Sequence, residues 1–171
     1  MVLSSRGAVG VLVLSLPLVL SACASTQDRE VKKLQARSSY EQGVRNLSEK
    51  RVSLGMAALK EAIELDPENA TYHNTLGVVL LDLKRPAEAQ AAFQAALEID
   101  KNNPEAHHNL GLAYAALGEP SRAIDFLPGA LEIFEAIESP HAAQARATIA
   151  KLEKRRRHLR WIQRFGSSRR P

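Results

Sequence analysis

One interval of 34 residues constrains this chain more than any other feature. Ala62-Ile63-Glu64-Leu65-Asp66 returns as Ala96-Leu97-Glu98-Ile99-Asp100, and again as Ala130-Leu131-Glu132-Ile133-Phe134. Gly43, Gly77 and Gly111 keep the interval, as do His73, His107 and His141. A fixed period of this length is the mark of stacked helical hairpins. One hairpin cannot bury its apolar face alone, so it packs on its neighbours. The repeated glycines and the small Ala89, Ala96, Ala123 and Ala130 let two helices approach closely. Leu76, Leu80, Phe93 and Leu97 then fill the space around the contact. The interval therefore predicts an all-α solenoid.

Within one unit, His73-x2-Leu76-Gly77-x2-Leu80 is followed by Ala89-x3-Phe93 and Ala96. The next unit reads His107-x2-Leu110-Gly111-x2-Tyr114, then Ala123-x3-Leu127 and Ala130. This resembles the tetratricopeptide repeat (TPR) family, whose pattern is Trp-x2-Leu-Gly-x2-Tyr, then Ala-x3-Phe, then Pro. His73 and His107 stand where the family often has Trp, and Lys101 stands where Pro67 stands one repeat earlier. The preceding copy is weaker, with Ser39, Gln42, Asn46 and Gly55 in the Trp, Leu, Tyr and Ala positions. The resemblance implies a helical-hairpin (TPR) solenoid of about three repeats over residues 34–137. A basic capping helix over 138–165 and a frayed, disordered tail over 166–171 would follow.

The start of the chain has a different character. Arg6 precedes an almost wholly apolar run from Gly7 to Leu20. That run is short for a membrane span, which needs about 20 residues, and fits the apolar core of a secretory signal. Leu20-Ser21-Ala22-Cys23 resembles the bacterial lipobox, in which the Cys is lipidated and becomes the mature N-terminus. The expectation is a lipoprotein signal peptide over 1–22, then a lipidated tether over 23–33 that runs into the first helix. Ala24 to Asp28 is its polar part. Three acyl chains, each gaining about 0.8 kcal/mol per buried CH₂, would form a firm membrane anchor. Bacterial lipoproteins kept at the inner membrane commonly carry Asp after the Cys, and here it is Ala24. The resemblance thus implies the outer membrane of the cell envelope, facing the periplasm. Cys23 is the single Cys, so no intramolecular disulfide forms.

Helix-start signals mark the rest. A first amphipathic helix is expected from about Arg29 to Ser48, with its partner capped by Ser53 and stopping before Pro67. Further helices are expected near Asn69–Leu83, Pro86–Ile99, Asn103–Leu117, Pro120–Ile133 and His141–Phe165. Pro128-Gly129 falls inside the sixth, where Pro costs about 3 kcal/mol, so a kink or a break is expected there.

No Ser/His/Asp grouping, His-Glu-x-x-His, Cys pair or phosphate-cradling Gly loop occurs. The reading is a protein that is not an enzyme, with no cofactor, metal or small-molecule substrate. The periodic histidines are read as packing residues, because helices 8–10 Å apart hold two imidazoles too far apart to share one ion at about 2 Å each.

In the TPR family the first helix of each hairpin lines a concave groove. Carried over position by position, that groove presents Arg37, Tyr40, Val44, Thr71, Asn74, Val78, Leu81, Glu105, His108, Asn109, Leu112 and Ala115. A Val78–Leu81–Leu112 strip beside Asn74 and Asn109 suits an apolar partner segment, with the amides meeting its backbone. The alternative is that the last helix covers Val78 and Leu112. Some TPR proteins grip a terminal carboxylate with Lys, Asn and Arg, but the positions here hold Tyr40, Val44, Thr71, Asn74, Glu105 and Asn109. Only the asparagines fit, so the chaperone-tail-binding subclass is not expected.

Charge is divided along the chain. Residues 151–171 hold nine Lys/Arg against Glu153 alone, whereas residues 23–150 carry a net charge of −5. The basic face of the last helix serves as a solvated cap or meets an anionic surface through Arg155, Arg156, Arg157, Arg160 and Arg164. Nucleic acid is not expected as a partner of an exported protein.

Together these readings imply a lipid-anchored TPR adaptor or scaffold that binds a protein or peptide partner. They resemble the bacterial outer-membrane TPR lipoproteins that assist type IV pilus or secretin assembly. The alternatives are an adaptor for cell-wall enzymes and an envelope-surface binder of anionic lipid or polymer acting through the basic helix.

Overall fold

The computed structural model describes residues 16–165, and side chains from residue 27 to residue 164. Seven helices follow one another: α1 (Leu16–Ser48), α2 (Val52–Leu65), α3 (Ala70–Asp82), α4 (Pro86–Ile99), α5 (Pro104–Ala116), α6 (Pro120–Ala136) and α7 (His141–Phe165). There is no strand among the described residues. The three hairpins α1/α2, α3/α4 and α5/α6 stack, and α7 packs on α6. The all-α solenoid expected from the 34-residue interval is the observed fold.

The starts of the helices follow local chemistry. Asn69 caps α3 by accepting from the Thr71 N–H at 3.1 Å, and Asn103 caps α5 by accepting from the Ala106 N–H at 2.9 Å. Each satisfies a donor that the first helical turn leaves without an intrahelical partner. Pro86, Pro104 and Pro120 occupy the first turns, where a missing N–H costs nothing. Ser53 is not a cap: α2 begins at Val52 behind Arg51, which makes no side-chain capping bond.

Two expectations change in the structure. Ala24 to Asp28, expected as a tether, lies within α1, whose helical backbone runs from Leu16. Residues 1–15 of the expected signal segment and residues 166–171 of the expected tail lie outside the described residues. Of the kink or break expected at Pro128, the break does not occur, and α6 continues as one 17-residue helix. Both Pro128 and Gly129 are exposed, so the ring and the interrupted hydrogen bond are on the wet side, where water replaces the lost donor.

The core is continuous from the second hairpin into α7. Leu80, Phe93, Leu110, Tyr114, Leu127 and Leu152 form one buried cluster with the small Ala89, Ala113 and Ala123. Phe93 and Leu127 are fully buried, each against the glycine of its own hairpin. α7 brings Ala145 and Leu152 into the core, as an inner helix of a further repeat would.

The turns between partner helices repeat as well. Lys50, Lys84 and Gly118 take left-handed backbone angles, with φ of 62°, 60° and 83°. The next N–H in each case reaches back five residues: Arg51 to Asn46, Arg85 to Leu80 and Glu119 to Tyr114, at 2.8–2.9 Å. This is the closing bond of a Schellman-type helix end.

Candidate functional site

The inner face of the array is built from α1, α3 and α5. α3 and α5 approach each other more closely than α2 and α4 do, which puts the first helices of the second and third hairpins on the inner side. Neighbouring inner helices are joined by polar bonds on this face. The Tyr40 hydroxyl and the Thr75 hydroxyl are 3.3 Å apart, and Tyr40 stacks on Tyr72 with ring centroids 4.9 Å apart. One repeat on, Asn109 Nδ2 donates to Asn74 Oδ1 at 3.0 Å. This bond leaves the Asn74 amide NH₂ and the Asn109 Oδ1 for another molecule.

The expected groove residues divide into three groups. Val44 and Val78 stand open to solvent at 41% and 39% exposure, alongside exposed Thr71 and Glu105. Leu81, Leu112, Ala115, Asn74 and Asn109 are half-buried, and Leu81 and Ala115 rest on the core cluster. α7 therefore does not cover Val78. Arg37 is exposed but engaged, its Nε donating to Glu41 at 3.1 Å.

His108 needs correction. Counting by repeat puts it on the open face, but it is only 7% exposed. Its ring meets Phe134 of α6 edge-on at 6.1 Å, and Phe134 in turn lies 5.6 Å from His141 at the start of α7. Burial, followed by the nearby His141, lowers the His108 pKa from its ordinary value. The imidazole is thus neutral at pH 7, and its buried Nδ1 has no hydrogen-bond partner among the described residues.

The histidines at the repeat interval do a job the sequence reading did not foresee. His73 Nε2 lies 3.0 Å from the Pro67 carbonyl, and His107 Nε2 lies 2.8 Å from the Lys101 carbonyl. Each imidazole ties the turn before its helix, and the 34-residue spacing of Pro67 and Lys101 was the available signal. No group of three or more His, Cys, Asp or Glu residues suited to a metal ion occurs among the described residues.

The basic helix packs on α6 and runs past the α5–α6 turn. Leu159, Trp161 and Ile162 are 40%, 58% and 43% exposed among exposed Arg155, Arg157, Arg160 and Arg164. Arg156 is half-buried and lies with Leu159, Arg160 and Gln163 beside Gly118 to Arg122. The start of α1 is at the other end of the array, where Arg29 pairs with Glu68 at 3.9 Å. The Cys23 side chain is not described, and among the described residues no helix is long and apolar enough to cross a membrane.

Stacked antiparallel helical pairs with an inner face lined by their first helices define a helical-repeat solenoid. Residues 67–136 match the model of the tetratricopeptide repeat family. Solved structures carry the same fold. The Arabidopsis OM64 TPR domain is 24% identical with a TM-score of 0.65, covering 72% of this chain and 98% of that one. The TPR2B domain of yeast Sti1 in complex with pHsp70 is 22% identical with a TM-score of 0.67, covering 71% and 98%. The first TPR of Spaghetti (RPAP3), bound to the HSP90 peptide SRMEEVD, is 18% identical with a TM-score of 0.66, covering 71% and 93%. No curated protein matches the chain.

Proposed function

We propose that this protein is a lipid-anchored adaptor that grips an extended segment of a protein partner along its inner face. The observation that carries the reading is the Asn74–Asn109 pair. Two amides from successive first helices hold each other in place, with exposed Val78 and half-buried Leu112 on the same face. Such a pair offers a fixed donor and acceptor to a passing backbone, and the apolar strip accepts side chains. Because the amides are already oriented, little side-chain entropy is lost on binding.

The Sti1 domain is in complex with pHsp70, and the RPAP3 domain is bound to an acidic HSP90 peptide. The corresponding face here has Glu105 open to solvent and Arg37 already paired with Glu41. An acidic tail is therefore disfavoured by charge, and a neutral, partly apolar segment is the better fit. Lipidation at Cys23 would hold the adaptor in the envelope, at the outer membrane on the periplasmic side. Pilus, secretin and cell-wall assemblies all offer partners of this kind there. The test is a photoreactive residue at Val78 of the full chain in cells. A discrete adduct with one partner supports the groove, and adducts only from positions on α7 would refute it.

A second reading rests on α7. Its exposed Trp161 and Ile162 among arginines suit an anionic surface. That end of the array is opposite the Arg29–Glu68 end, so an anchor at Cys23 would present the basic end away from its own membrane.

A further inference from the structure

The outer side of the array has an open place that one of its own repeats fills. In the third hairpin, Phe126 of α6 stacks on Tyr114 with ring centroids 5.4 Å apart, and on His107 at 6.3 Å. One repeat earlier the same three positions are Ala92, Leu80 and His73. Two aromatic rings have been replaced by a methyl group and an isobutyl group. An open groove of about 480 Å³ lies there between α2, α3 and α4, lined by Met56, Ile63, His73, Leu76, Leu80 and Ala92. Leu80 is buried at its base, while Met56, Ile63, Leu76 and Ala92 are half-buried.

The mouth of the groove narrows the choice of occupant. Lys60, Glu64, Arg85 and Glu88 rim it, two cations against two anions. Arg85 is committed to Glu88 through two hydrogen bonds of 2.6 Å. A charged ligand gains nothing from such a rim, whereas a neutral ring loses only its contact with water. The lining is mostly apolar, and the imidazole of His73 is held by the Pro67 carbonyl, so it stands as a fixed ring edge.

We propose that this groove is a docking site for an aromatic side chain, phenylalanine above all, carried by an apolar segment of a protein partner. Phe126 in its own repeat shows which group completes these walls and against which neighbours it packs. The site is on the α2/α4 side of the array and is independent of the inner face.

The test uses the full chain carrying Cys23→Ser, observed through its methyl NMR signals during titration with N-acetyl-phenylalanine amide. Saturable shifts are expected at Met56, Ile63, Leu76, Leu80 and Ala92, with none at Val78 or Leu112. N-acetyl-alanine amide should produce none. Ala92→Phe supplies the ring internally, so binding should weaken by about tenfold or more while the melting temperature holds or rises. Ala91 is exposed at the groove, so Ala91→Leu narrows the mouth without touching the core and should also weaken binding. If Ala92→Phe fails to fold, Ala91→Leu decides. Any of three results would overturn the proposal: no saturable shifts, equal shifts at Val78 and Leu112, or undiminished binding in both variants. Equal affinity for N-acetyl-leucine amide would overturn the aromatic assignment.

Discussion

The place that a Cβ would take on Gly77 is already filled by the ring of Phe93, whose Cδ1 stands 2.7 Å away. Phe93 is fully buried within the core cluster of α3–α7. Ala in place of Gly normally favours a helix by up to about 1 kcal/mol, but overpacking costs about 1–3 kcal/mol, and here the clash prevails. Gly77→Ala should lower the melting temperature by roughly 2–6 °C. Gly129 is the control, because a Cβ there meets nothing. Gly129→Ala should raise the melting temperature slightly, and a fall in both variants would contradict the packing account.

Lys84 pays a backbone penalty at the end of the second hairpin. Its φ of 60° is left-handed, at a position where Gly118 sits one repeat later. A side chain in that region costs about 1–2 kcal/mol, partly offset by the greater freedom that glycine has when unfolded. Lys84→Gly should stabilise the protein by about 0.5–1 kcal/mol, measured by denaturant midpoint at constant slope. An unchanged or lower midpoint would mean the turn is not strained.

Stability should depend on pH through His108. Its pKa is lowered in the folded protein, mainly by burial and then by His141, relative to about 6.5 when unfolded. The unfolded chain therefore binds the proton more readily. This contribution is fully present above about pH 6.5 and is lost as pH falls below it towards the folded pKa. The melting temperature should drop between pH 7 and pH 5, and His108→Leu should flatten that drop. A slope unaffected by the substitution would exclude His108 as its source.

Cys23 follows Leu20-Ser21-Ala22 and an apolar run, the arrangement on which the lipid anchor rests. Feeding cells a fatty-acid analogue should label the wild type and leave Cys23→Ser unlabelled. Equal labelling of both would remove the lipoprotein reading while leaving the groove untouched.

The fold was legible because packing leaves a periodic trace. The glycines and alanines at the helix crossings, Asn69 and Asn103 as caps, and the prolines of first turns all stand where the structure uses them. The turns were harder to read, since Lys50, Lys84 and Glu138 adopt left-handed angles without being glycine. The polar segment that suggested a tether is helical within α1, because neither Gly nor Pro interrupts residues 18–42. Counting by repeat placed His108 on the inner face, but it does not register that Phe134 and the start of α7 close over that position. The outer groove was missed for a related reason. It arises from a difference between repeats, Ala92 against Phe126, where the search was for likeness.

The central claim is that the inner face, and the Asn74–Asn109 pair in particular, holds the partner. The most direct measurement is the affinity of the partner crosslinked at Val78 for the full chain at low and at physiological salt. It should be compared between wild type, Asn74→Ala with Asn109→Ala, and a variant with Arg155, Arg156 and Arg157 neutralised. Lost hydrogen bonds of about 0.5–1.5 kcal/mol each predict roughly 5- to 150-fold weaker binding for the asparagine pair, with an unchanged melting profile. The arginine variant should bind like wild type, with little dependence on salt. Wild-type-like binding by the asparagine variant, together with loss of binding at physiological salt as charges are screened, would contradict the account and transfer the function to α7.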